Sequence, residues 1–180
     1  MSGIPKAILD TSALISLYNL DFLNDLRLVY AEVRIPREVQ REFLDKISEI
    51  EKSKRFDFLL NFYKENESWF LPCSEYGEDL ISIYLTEEGM DRGESEVLAQ
   101  NQALDSLYQV IIDEKIAKQI AKNKSFKVHG VLSIIAELCI RFQRKDYFEC
   151  TEYLIEKQNF NISQKIIKLV YEQKIKEIFG

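Results

Sequence analysis

The chain is 180 residues long, with 46% hydrophobic and 30% charged residues, the size and balance of one soluble globular domain. A chain of this length buries enough surface to fold without disulfides or a structural metal. Its net charge of −6 at pH 7 argues against a nucleic-acid coat protein, which is basic overall.

The opening residues, Met1 to Lys6, lack the long apolar stretch of a signal peptide. No later segment approaches the roughly 20 apolar residues of a membrane span, so the expected location is the cytoplasm. Ala7-Ile8-Leu9 reads as a buried strand leading into Asp10. Thr11 to Asn19 then reads as a helix with Leu14, Ile15 and Leu17 apolar. Val33-Arg34-Ile35 is a short strand ended by Pro36, whose missing N–H suits the first turn of a helix. That helix carries Val39, Phe43, Leu44 and Ile47 at helical spacing. A further helix is predicted over Phe56 to Lys64, and Trp69-Phe70-Leu71 is a strand stopped by Pro72.

The stretch from Glu75 to Glu96 is acidic: Glu75, Glu78, Asp79, Glu87, Glu88, Asp91, Glu94 and Glu96 face only Arg92. Within it, Gly93 precedes a predicted helix from about Glu94 to Leu104. Tyr108 to Ile112 reads as a fully buried strand ending at Asp113. A basic stretch follows, with Lys115, Lys118, Lys122, Lys124 and Lys127. Ile116 to Lys122 is helical, and Phe126 to His129 is the last strand. Val131 to Phe142 is an apolar helix, and the remainder to Phe179 is helical. An acidic centre beside a basic stretch suits a metal-dependent nuclease, in which carboxylates hold the cation and lysines hold the phosphate chain. Solvated helix faces produce the same runs without function.

Strands alternating with helices predict a parallel sheet covered on both faces. Ligands of such sheets bind beyond the carboxyl ends of the strands, where Asp10 and Asp113 both project. Glu42, on the helix opened by Pro36, and Glu94, at its helix start, complete a candidate set of four. A hard divalent cation takes such oxygen ligands and needs few of them. Each acid also has a structural reading. Asp10-Thr11-Ser12 suits a helix cap, Glu94 suits a helix dipole, and Glu42 suits a solvated face. What the chain lacks narrows the chemistry. One histidine, His129, removes His-rich zinc sites, and no GxSxG elbow accompanies it. No phosphate loop and no GxGxxG occur. Cys73, Cys139 and Cys150 are scattered, form no CxxC pair and read as free thiols.

Four motifs resemble the PIN domain family in family order. Ile8-Leu9-Asp10-Thr11-Ser12-Ala13-Leu14-Ile15 looks like its opening strand and turn. Ile35-Pro36-Arg37-Glu38-Val39-Gln40-Arg41-Glu42 resembles the second motif, in which a glutamate follows a valine by three, which selects Glu42 over Glu38. Gly93-Glu94-Ser95-Glu96-Val97-Leu98-Ala99 resembles the helix start of a branch related to VapC-type toxins. Val110-Ile111-Ile112-Asp113-Glu114, followed by Ala117, resembles that branch's late strand and paired acids.

The resemblance implies a three-layer α/β/α sandwich with a mainly parallel four- or five-stranded sheet and added C-terminal helices. It places a PIN-like domain at 1–145 and a helical extension at 146–180. It implies Mg²⁺- or Mn²⁺-dependent hydrolysis of RNA, a homodimer and, for toxin members, an antitoxin protein partner. In that scheme Asp10 is the central metal ligand, and Asp113 and Glu94 complete the site. Glu42 binds a coordinated water or a second ion. Ser12 or Thr11 orients Asp10, and Lys115 and Lys118 guide the RNA backbone. Two positions depart from the family pattern. The third acid is a glutamate, Glu94 or Glu96, where many members carry aspartate. Val128-His129-Gly130 stands where the branch often has a Gly-Thr pair. Two rival readings remain: a catalytically inactive RNA- or protein-binding module, and a phosphatase with Asp10 as nucleophile. The latter usually carries a second aspartate where this chain has Ser12.

Overall fold

The computed structural model describes residues 3–45, 47–73, 78–87 and 89–180. Met1, Ser2, Glu75 and Glu88 therefore lie outside the described residues. Among the described residues, five strands form one parallel sheet: β1 (Lys6–Leu9), β2 (Glu32–Ile35), β3 (Phe70–Pro72), β4 (Tyr108–Ile111) and β5 (Lys127–His129). Their order is β3-β2-β1-β4-β5. The central strands are covered on both faces, which is why they read as unbroken apolar runs. Ala7, Ile8, Leu9, Val110 and Ile111 have no exposed surface. The edges carry the exceptions: Pro72 ends β3, and exposed Lys127 begins β5.

From β1 the chain steps outward to β2 and β3, then returns to the other side of β1 for β4 and β5. The direction of winding therefore reverses between β1 and β4. Beyond the carboxyl ends of those two strands, the outgoing connections part and leave a crevice. Ile8 pairs with both Val110 and Arg34, and Leu9 with Ile111, so the ends of β1 and β4 lie level. The backbone N–H of Asp10 continues the pairing by donating to the Ile111 carbonyl at 3.0 Å.

The helices are α1 (Thr11–Asn19), α2 (Arg37–Phe43), α3 (Glu49–Glu65), α4 (Glu78–Glu87), α5 (Arg92–Ala103), α6 (Lys115–Asn123), α7 (Val131–Arg141), α8 (Tyr147–Gln158) and α9 (Gln164–Phe179). They flank the sheet as an α/β/α sandwich with C-terminal helices, as expected from the sequence. α9 packs along α7, where buried Lys174 reaches Glu137 at 3.4 Å, and it is tied to α8 by the Tyr147 hydroxyl donating to the Ile167 carbonyl. Among the described residues no helix is long and apolar enough to cross a membrane.

Several boundaries differ from the sequence expectation. The helix predicted from Phe56 begins at Glu49, because the Ser48 hydroxyl accepts the Glu51 N–H and caps it there. α2 ends at Phe43, leaving Ile47 outside, and Pro36 is its N-cap rather than part of its first turn. The acidic run contains the unpredicted helix α4, anchored by buried Ile81 and Tyr84. A 3₁₀ turn at Asn24–Leu28 was also not evident in the pattern. The C-terminal helical stretch breaks at Asn159, which adopts the left-handed conformation with φ 52°.

Candidate active site

Asp10 follows β1 directly and is 5% exposed. One carboxylate oxygen accepts the Ala13 N–H at 2.7 Å, so Asp10 is the N-cap of α1. The other accepts the backbone N–H of Asp113 at 3.1 Å, across the gap between β1 and β4. The Ser12 hydroxyl stands 3.0 and 3.1 Å from the two oxygens. The capping role and the placement beside Asp113 therefore coexist. Burial, reinforced by the charge of Asp113, pushes the Asp10 carboxyl up to about 7.

Asp113 accepts from the Lys118 ammonium at 3.0 Å and from the Val131 N–H at 3.2 Å, the first residue of α7. Gly130 makes this close approach feasible. A Cβ there would lie 2.7 Å from an Asp113 oxygen and 3.2 Å from the Lys118 nitrogen. The departure at Val128-His129-Gly130 thus supplies the small residue that the aspartate needs beside it.

Glu42 projects from α2, and the Thr11 hydroxyl donates to its carboxylate. Burial raises the Glu42 pKa, and the charge of Asp91 adds to that shift. Gly93 packs against this carboxylate, and a Cβ there would come within 2.9 Å of it. Glu94, in the first turn of α5, is pushed up to about 8, first by burial and then by the charges of Asp91, Glu114 and Asp10. Asp10, Thr11, Ser12, Glu42, Glu94 and Asp113 line one cleft of about 320 Å³ together with Asp91, Glu114 and Phe160. Among the described residues, six of those lining the cleft are carboxylates and none is basic.

The remaining sequence candidates fall elsewhere. Glu96 is buried but points away from the cleft, accepting the Glu38 N–H at 2.8 Å and pairing with Arg92 at 3.4 Å. Its visible role is to secure the start of α2. Glu38 is held by Arg41, which leaves Glu42 as the α2 acid that reaches the cleft. Of the two hydroxyls proposed to orient Asp10, Ser12 does so and Thr11 turns to Glu42. Lys118 touches the cleft's edge through Asp113, while Lys115 is exposed at the start of α6. His129 lines a different cavity with Glu137 and Arg141. Ser12 occupies the position where an aspartyl phosphatase needs its second acid.

Three lining residues were not singled out as site residues from the sequence. Asp91 and Glu114 cap α5 and α6, accepting from Glu94 N–H and Ala117 N–H, so they read as structural acids. Phe160 comes from the loop between α8 and α9, far from any recognised motif.

Among the described residues no three acids, histidines or cysteines stand close enough to form a ready-made metal cage. Asp10 and Asp113 are each held by their own hydrogen bonds, to Ala13 and Asp113 N–H and to Lys118 and Val131 respectively. The donor chemistry nonetheless fits a hard divalent cation. All the charged groups are oxygen donors, and Mg²⁺ keeps several waters while using one or two carboxylates. Burial first, and the neighbouring acids second, raise the carboxyl pKa values of Asp10 and Glu94, and a bound cation would offset both effects.

No curated protein matches the sequence. The DUF3368 family, a PIN domain, matches residues 6–177, from β1 through most of α9. PIN domains are generally nucleases that use divalent metals. With nearly its whole length matched, this chain belongs to the PIN domain family.

Proposed function

We propose that the acidic cleft hydrolyses RNA phosphodiester bonds with Mg²⁺ or Mn²⁺. The observation that carries this reading is the convergence of six carboxylates at the switch point of the sheet. Asp10, Asp113 and Glu94 would hold the cation, directly or through water. Glu42, held by Thr11, would orient a water or a second ion. When bound, the cation supplies Lewis acidity and lowers the pKa of water. Ser12 fixes the Asp10 carboxylate, and the N–H groups of Ala13 and Asp113 keep its oxygens in place without reorganisation. Lys118 and Lys115 stand beside Asp113 and Glu114 and would attract the phosphate backbone.

The toxin role, the antitoxin partner, the homodimer and the cytoplasmic location rest on the motif resemblance to the VapC-type branch. The family match reaches the PIN domain and not that branch. The division into a domain at 1–145 and an extension at 146–180 is likewise proposed from the motifs. Incubating purified protein with single-stranded RNA tests the central reading. Cleavage should require Mg²⁺ or Mn²⁺, and Asp10→Asn should lose it. Equal cleavage by wild type and Asp10→Asn would refute the assignment.

A further inference from the structure

We propose that Phe160 is a nucleobase platform that makes the cleft selective for single-stranded RNA. This deepens the nuclease reading above and rests on it. Among the described residues that line the cleft, Phe160 is the only uncharged large side chain, next to six carboxylates. Its position is fixed by the chain around it. Asn159 terminates α8 in the left-handed conformation, and the Phe160 N–H donates to the Leu154 carbonyl at 3.2 Å. The Phe160 carbonyl then accepts the Ile162 N–H at 3.0 Å. Just before the turn, Gln158 accepts the Ser16 hydroxyl at 3.2 Å, which ties this loop to α1, the helix capped by Asp10. The ring is half-buried: it packs against the core and also borders the cleft.

A ring held in that way contributes little to holding a cation or a phosphate. Its chemistry suits the flat face of a base. Every base has such a face, and a stack on an aromatic side chain is worth about 1–3 kcal/mol. Bases in a duplex are already stacked and paired, so only a splayed strand can use the ring. The lysines continue the path. Lys115, Lys118 and Lys122 recur at i, i+3 and i+7 on α6, one stripe leading away from Asp113. A strand with its phosphate over the carboxylates could thus place one base on Phe160 and later phosphates along α6.

The test is fluorescence anisotropy with a labelled eight-residue oligouridine and the same oligomer lacking its bases. Ca²⁺ replaces Mg²⁺, so that binding rather than cleavage is read. Wild type should bind oligouridine about tenfold more tightly than the abasic strand, within the range of one base stack. Phe160→Leu, which keeps an apolar side chain against the core, should lose that preference with its melting temperature little changed. Phe160→Trp should retain the preference. Loss of preference in Phe160→Leu with an unchanged salt dependence would show that base contact, not phosphate contact, was removed. A preference that survives in Phe160→Leu, or a wild type that binds both strands equally, overturns the proposal. Because binding is read, an RNA-binding wild type that fails to cleave counts against the nuclease reading alone.

Discussion

The carboxylate of Asp10 accepts a hydrogen bond from the backbone N–H of Asp113 at 3.1 Å, joining residues 103 positions apart. This bond fixes the ends of β1 and β4 to each other and brings two acids together where the sheet reverses its winding. The arrangement is electrostatically unfavourable without a cation, and that has measurable consequences.

Stability of the metal-free protein should fall as pH rises from about 5 to 8. Asp10 and Glu94 are raised to about 7 and about 8 from ordinary values near 4, so the native state binds more protons than the unfolded chain across that window. Rising pH then favours the unfolded chain. Mn²⁺ should restore the melting temperature, and more at pH 8 than at pH 6, because binding must displace those protons. A melting temperature that climbs through this range in the absence of metal would contradict the account.

The two glutamates of α5 should separate cleanly. Glu94→Gln removes a cleft carboxylate and should reduce cleavage by about a hundredfold or more, near 2.7 kcal/mol of transition-state stabilisation, with little loss of stability. Glu96→Ala removes the acceptor for the buried Glu38 N–H and should destabilise the fold by about 1–3 kcal/mol. Activity of its folded fraction should be largely kept. Chemical denaturation alongside initial rates distinguishes these outcomes, and the reverse pattern would reassign the third acid to Glu96.

Gly93→Ala should be neutral or stabilising in the fold yet harmful to activity. Alanine is the better helix former by about 1 kcal/mol, and the group it would meet is the flexible end of Glu42, 2.9 Å away. The displaced Glu42 carboxylate should break from Thr11, lowering the turnover number more than it changes KM. Gly130→Ala presses on Asp113 and Lys118 instead, so it should weaken Mn²⁺ binding. Unchanged metal affinity in Gly130→Ala would mean that Asp113 does not hold the ion.

Replacing Lys115 and Lys122 together with alanine should raise KM several-fold at low salt and leave the turnover number nearly unchanged. Each phosphate contact on a single strand contributes roughly 0.7 to the slope of log affinity against log salt, so the double variant should lose about 1.4. A slope equal to that of wild type would place the RNA backbone elsewhere.

Much of this architecture was legible in the sequence, because strands covered on both faces leave a plain signal. Ala7-Ile8-Leu9 and Val110-Ile111-Ile112 each run straight into an aspartate, which predicted both the parallel sheet and its functional edge. Glu42 was legible through its spacing from Val39. The choice between Glu94 and Glu96 was not, because it depends on which way each side chain leaves α5. Asp91 and Glu114 were hidden by their capping roles, which any surface acid can fill. Phe160 was hidden for a different reason: Asn159 is a residue type that ends helices in the left-handed conformation, but the sequence does not say that the loop after it returns to the cleft.

Calorimetric titration of Mn²⁺ into wild type and Asp10→Asn addresses the carboxylate cluster most directly. Wild type should give saturable heat whose size varies with the buffer's ionisation enthalpy, since protons leave as the ion enters, and Asp10→Asn should give none. No heat from wild type, or equal heat from both proteins, would contradict the cleft's assignment as a metal centre.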